Sequence, residues 1–244
     1  MMLLKQRHKK GVIPGDYQYQ ALKKGFVVQR FFHHLKTATI QRLALPDSSM
    51  VVLDVGCGSG VVSNFLAQHA RFVHAVDSNK LAINFAQNQF QRDNLRFYSR
   101  LVEEIDFADE TFDIIYCLEF IEHLNWFKVI DLFRSLARLL KSGGRVFLTT
   151  PNYHSPWLII EKAMDLLRLA PKMASEQHIS KPTKKKLESL AISCGLEPIV
   201  INRDFGLAVF LSVFGWKFAE KVKQFEDRIG SPLGSHLCAV FTKP

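Results

Sequence analysis

Glu119, Glu122 and His123 stand at i, i+3 and i+4, a spacing that puts two carboxylates and an imidazole on one face if the segment is helical. Such a trio could hold a divalent cation that lowers the pKa of a bound hydroxyl. Alternatively, His123 could serve directly as a base, or the three side chains could only position their own loop. His178, in SEQHISKP, is a second candidate base or a solvated loop histidine, and Glu119, His123 and His178 make up the candidate catalytic set.

A second constellation lies upstream, in VVLDVGCGSG at 51–60. Gly56, Gly58 and Gly60 alternate directly behind an apolar run, where a bare backbone and the free amides of a helix start let a ligand lie close. The spacing differs from the GxGxxG of dinucleotide sites, and Asp54 is badly placed for a pyrophosphate but well placed for an ammonium group. About twenty residues on, Asp77 ends a second apolar run, where a nucleoside site needs a carboxylate for the ribose hydroxyls. An amino-acid end and a ribose together describe S-adenosylmethionine. The loop Gly56, Cys57, Gly58 and Gly60, with Asp54 and Asp77, is the expected binding set. Without a ligand, the loop would be only a tight strand-to-helix turn and Asp77 a helix cap.

These residues need a scaffold that brings strand ends together. From residue 51 apolar runs at 50–55, 71–76, 95–99, 112–117, 145–150, 198–202 and 236–242 alternate with helical patterns at 61–70, 80–92, 125–140 and 183–193. That alternation predicts an α/β chain with a mostly parallel sheet and helices on both faces. Three stretches fall outside it: 1–49, 151–182 and 204–235. In the second, Ser155 and Pro156 can start a helix whose apolar face gathers Trp157, Ile160, Ala163, Met164 and Leu167, as core, lid or membrane contact.

The chain has 244 residues and a formal net charge of +9, which suits an acidic partner such as nucleic acid, an anionic membrane surface or an anionic substrate. Its four cysteines form no CxxC pair, so reduced thiols in the cytoplasm are expected and a zinc-cysteine site is not. The basic start MMLLKQRHKK lacks the apolar stretch of a secretory signal. No run reaches roughly 18 apolar residues, so no membrane span is expected. The apolar stretch 205–216 followed by Lys217, Lys221 and Lys223 would suit a peripheral contact with an anionic bilayer. The run KPTKKKLE lacks interleaved aromatic residues, which argues against nucleic acid as a partner.

In order, VVLDVGCGSG, VHAVDSN, FDIIYCLEFIEHL and LLKSGGRVFLTTPN resemble the successive motifs of class I S-adenosylmethionine-dependent methyltransferases. That resemblance implies a Rossmann-like seven-stranded sheet of order 3-2-1-4-5-7-6 with the last strand antiparallel and a helical insertion after strand 5. It divides the chain into an N-terminal helical segment, 1–49, covering the cofactor site, and a methyltransferase domain, 50–244, with insertions at 151–182 and 204–235. It implies that Gly56 contacts the methionine end, Asp77 the ribose, Ser78, Leu101 and Val102 the adenine surroundings, and Cys117 and Leu118 the cofactor at the end of the fourth strand. Where many members carry an acid beside the adenine, this chain reads Arg100, Leu101, Val102.

Within the class, CLEFIEHL and TTPNYHSPWLIIEKAMDLLRLAPK are similar to the ubiquinone-biosynthesis O-methyltransferases, in which the insertion is implied to touch lipid or a prenylated quinol. By that similarity Lys36 falls where the family has an arginine near the cofactor carboxylate, and Glu119, Glu122 and His123 fall on a pattern thought to use magnesium or zinc. The expected activity is methyl transfer to a hydroxyl of an apolar small molecule, in the cytoplasm or at the membrane periphery. Transfer to nitrogen or carbon, an RNA-directed activity and a non-catalytic cofactor sensor are the alternatives.

Overall fold

The structure, a computed structural model, describes residues 14–155, 159, 178–231 and 233–244. Seven strands form one sheet: β1 (Val51–Val55), β2 (Phe72–Asp77), β3 (Leu95–Ser99), β4 (Phe112–Leu118), β5 (Leu140–Pro151), β6 (Glu197–Asp204) and β7 (His236–Thr242). Their order is β3-β2-β1-β4-β5-β7-β6, and β7 runs antiparallel to both β5 and β6, as the motifs implied. β1, at the centre, is paired in parallel on both sides, to β2 and β4. Its run of β-branched and leucine residues is what a strand covered on both faces requires, and Asp54 is its one polar exception.

The faces are covered by helices whose starts are written locally. On one side lie α3 (Val61–Leu66) and α4 (Lys80–Gln89), the latter capped by Asn79 Oδ1, which accepts from the Leu81 and Ala82 amides. On the other lie α5 (Trp126–Leu139), where Asn125 accepts from the Lys128 amide at 3.0 Å, and α6 (Lys184–Ser193), capped by Thr183. Val129, Leu132, Phe133 and Leu136 recur with helical period on α5 and are buried against the sheet.

Two boundaries differ from the sequence expectation by more than three residues. β5 begins at Leu140, not near residue 145, because Gly143 and Gly144, which read as a helix stop, are carried inside the strand. Leu140 pairs with Phe112, and a register shift before the Ile114–Arg145 pair accommodates them. α3 ends at Leu66, and residues 67–70 continue as turn.

The N-terminal helices α1 (Tyr17–Lys24) and α2 (Val27–Leu43) cross the carboxyl end of the sheet. Residues 204–235 contain α7 (Leu207–Leu211) and α8 (Trp216–Ile229), with α8 ended by Gly230 in the left-handed region at φ 80°. α2 and this insertion share a core of their own: Phe31 and Leu35 pack with Phe205, Ala208, Val209 and Ala219. Beneath it Asp204, 2 % exposed, meets Arg42 at 3.0 Å and Lys223 at 2.9 Å. The amphipathic helix expected after Ser155 lies outside the described residues. Among those described, no helix is long and apolar enough to cross a membrane.

Candidate active site

The site forms where strand order reverses, between β1 and β4, at the carboxyl ends of the strands. β1 ends in the glycine loop, whose Gly56 and Cys57 amides both donate to Val76 O, at 2.8 and 3.1 Å. Gly56 has φ 73°, and a Cβ there would lie 2.4 Å from the Phe120 ring. A Cβ on Gly58 would lie 2.5 Å from Gln18 Oε1, which also accepts from the Ser59 amide at 3.3 Å. The bare backbone therefore serves a close approach, here by α1, and it leaves a cradle that any side chain would fill.

A cavity opens beside the loop, and Gln18, His33, Lys36, Asp54, Gly56 and Leu118 are among the residues that line it, as are Cys57 and Trp216. Asp54 is buried and accepts from Ser63 Oγ at 2.6 Å. Burial pushes its carboxyl up to about 6; Ser63 and Lys36 oppose that rise and Asp77 adds to it. A cationic ligand would restore its charge. Asp77, at the end of β2, accepts from the Gly58 amide at 2.9 Å and the Asn79 amide at 2.7 Å. The Lys36 ammonium stands 4.9 Å from the Phe32 ring centre. Val102 is buried and Leu101 and Ser78 are exposed near the end of β3. Leu118 faces the cavity, whereas the Cys117 side chain points into the hydrophobic core, so only its backbone could reach a ligand.

The Glu119-Glu122-His123 trio does not share a helical face. Only residues 121–123 form a 3-10 turn, and Glu119 precedes it in the left-handed region at φ 51°. That turn of the backbone sends the Glu119 carboxylate away. Its Oε1 accepts from Thr149 Oγ1 at 2.6 Å, and its Oε2 lies 2.9 Å from His236 Nε2. His236 in turn contacts Ser235 Oγ at 2.9 Å, and the Ser235 hydroxyl donates to Phe205 O. The single Ser235 proton is thereby committed, so Ser235 accepts from His236 Nδ1–H. Burial alone would raise the Glu119 carboxyl, but His236, Lys36 and the bond from Thr149 together hold it well below its usual range. Glu122 is driven the other way, by burial and then by the Glu119 charge.

What the fold gathers instead is Glu122, His123 and His178, with one potential ligand atom from each within 4.8 Å of the others. His178 arrives because the Ile179 and Ser180 amides both donate to Glu122 O, at 2.7 and 3.1 Å. His236, Thr149, Gln18, His33 and Trp216 were not singled out from the sequence. For His33 a signal was present, since it stands one helical turn before Lys36 in FFHHLK.

Strand order, the crossover crevice and the glycine loop define the class I S-adenosylmethionine-dependent methyltransferase architecture. Residues 28–200 match the family model described as methyltransferase domain, and the chain belongs to that family. The ubiquinone biosynthesis O-methyltransferase of Coxiella burnetii is 35% identical over 103 residues, 41% of this chain and 43% of that relative, so the match spans less than half of the relative's length. The enzyme of that name from Bordetella avium is 32% identical over 170 residues, 67% of this chain and 69% of the relative. Among solved structures, an S-adenosylmethionine-dependent methyltransferase from Mesorhizobium loti shares the fold with a TM-score of 0.65 at 14% identity, over 87% of this chain and 100% of that one.

Proposed function

We propose that the chain transfers the methyl group of S-adenosylmethionine to a hydroxyl of an apolar, prenylated or quinol-like acceptor, working against an anionic membrane surface. The donor side rests on one observation: Asp54 and Lys36 line the same cavity as Gly56, so opposite charges meet an ammonium and a carboxylate beside a backbone without side chains. Asp77 and the apolar surroundings of Val102 suit the ribose and adenine. The bound donor supplies an activated methyl on a sulfonium. The residues of this chain bind it, orient it and keep water out, and Leu118 presents an apolar wall at the end of β4.

The acceptor class is supported by the two relatives named above and by the surface of the 204–235 insertion. Phe210, Val213, Phe214, Phe218, Phe225 and Ile229 are all exposed there, beside the exposed Lys217 and Lys221. Apolar side chains rimmed by ammonium groups fit the headgroup region of an anionic bilayer. A divalent cation taking part would be held by Glu122, His123 and His178, whose mixed carboxylate and imidazole donors suit it.

The test is to incubate the chain with methyl-tritiated S-adenosylmethionine and either a prenylated catechol or a cell lipid extract. Label in the organic phase, insensitive to nuclease and increased by anionic vesicles, is the expected result. Label confined to polar metabolites or to RNA overturns the acceptor class.

A further inference from the structure

The two histidines that the sequence offered as bases, His123 and His178, lie against each other at 5.3 Å between ring centres and close to Tyr153, and neither lines the cavity. His33 does, on α2, together with Asp54, Gly56 and Leu118. Resting on the methyl-transfer reading above, we propose that His33 is a catalytic residue that takes the proton of the acceptor hydroxyl as the methyl group is transferred.

The electrostatic setting keeps the ring in its neutral form. Two charged groups act on the ring: Lys36 from its own helix, and Glu119 from the end of β4, itself held by His236 and Thr149. Burial, and then the Lys36 ammonium, push the imidazole down to about 3, while Glu119 works in the opposite direction. At neutral pH the ring is unprotonated, as a base must be.

The reaction then moves charge within the site without adding any to it. The acceptor oxygen bonds to the methyl carbon, the carbon–sulfur bond breaks with its electron pair left on sulfur, and the hydroxyl proton passes to the His33 ring. One positive charge disappears from sulfur and one appears on the imidazole. Before transfer burial, the sulfonium and Lys36 all disfavour a proton on the ring; afterwards burial and Lys36 remain, and the Glu119 carboxylate opposes them. The base gains strength as the proton arrives.

Two measurements on the full chain test this. In the first, the His33 ring is titrated by NMR, with the resonance assigned by its loss in His33→Gln, in complexes with S-adenosylmethionine and with S-adenosylhomocysteine. The ring should titrate about one pH unit or more higher in the S-adenosylhomocysteine complex. Equal values in the two complexes would mean that the ring does not face the sulfur, and overturn the proposal.

The second compares catechol with 4-nitrocatechol, which ionises without help near neutral pH. His33→Gln should bind S-adenosylmethionine within a few fold of the unaltered chain and lose about 100-fold or more in kcat on catechol, but less than about tenfold on nitrocatechol. Equal losses on both acceptors assign His33 to packing and overturn its role as base. A chain that methylates neither catechol overturns the acceptor class proposed above, and the titration alone then decides the role of His33.

Discussion

The Asp77 carboxylate accepts the Gly58 amide at 2.9 Å, so the acid at the end of β2 braces the glycine loop at the end of β1. Its second oxygen accepts the Asn79 amide, the residue that caps α4. One side chain thus ties the glycine loop to the start of α4. On the reading proposed above the same carboxylate also accepts from the ribose, and a charge-assisted bond worth about 1.5–3 kcal/mol sets the expected loss of S-adenosylmethionine affinity in Asp77→Ala at about 10- to 100-fold in calorimetry. Asp77→Asn, which keeps an acceptor oxygen, should lose less. Unchanged affinity in Asp77→Ala would remove this residue from the ribose contact.

Asp54 gives the site a pH dependence whose sign is fixed. Its folded-state pKa is raised to about 6 by burial, above the ordinary value of 3.8. The folded chain therefore holds the Asp54 proton more tightly than the unfolded chain, and ionising it costs stability as pH rises from about 4 through about 6. Binding runs the other way, because an ammonium needs the carboxylate. Donor affinity should fall about tenfold per pH unit below about 6 and level off above it. Asp54→Asn should bind weakly with a nearly flat profile. A wild-type profile that stays flat from pH 7 to 5 would exclude Asp54 as the ammonium partner.

α2 and the 204–235 insertion are joined by charge. Asp204, at the end of β6, meets Arg42 of α2 and Lys223 of α8, and Lys223 also pairs with Asp227. Asp204 and Lys223 are both more than nine-tenths buried, so Asp204→Ala strands an ammonium in a dry environment with one partner left. A loss of about 3–5 kcal/mol in denaturant unfolding is expected. Because α2 also carries His33 and Lys36, donor affinity should fall in the same variant even under conditions where the sheet remains folded. Intact affinity in a destabilised variant would mean that the anchor serves stability alone.

How much of this was legible in the sequence depends on the range of the contact that decides it. Sheet and crevice follow from local runs such as VVLDV and FDIIYCL, whose β-branched and aromatic residues fit strands covered on both faces. The start of β5 did not, because Gly143 and Gly144 look locally like a helix stop and only the pairing of Leu140 with Phe112 makes them strand. Glu119 departs from the trio for a similar reason: the helical condition fails where the backbone takes φ 51°, and its partner His236 lies far along the chain. For His33 the only local signal is its place one turn before Lys36, and what gives it meaning is the cavity that both residues line.

Displacement of Glu119 changes what a metal would find. Its two oxygens are occupied by Thr149 and His236, while Glu122, His123 and His178 converge. Two imidazoles and one carboxylate favour zinc or cobalt over magnesium, whose preference is for oxygen. Cobalt(II) titration followed by its visible absorption should therefore be weakened about tenfold or more in His178→Ala and in His123→Ala, and little changed in Glu119→Gln. Burial, and then the Glu119 charge, hold the Glu122 carboxyl well above its ordinary range, so a cation must displace its proton. Binding should release a proton at neutral pH, measured as a dependence of the calorimetric heat on the buffer, and should weaken as pH falls. If Glu119→Gln abolishes binding while His178→Ala leaves it intact, the cation is held by the three residues of the sequence pattern, and Glu119 must leave His236 to reach it.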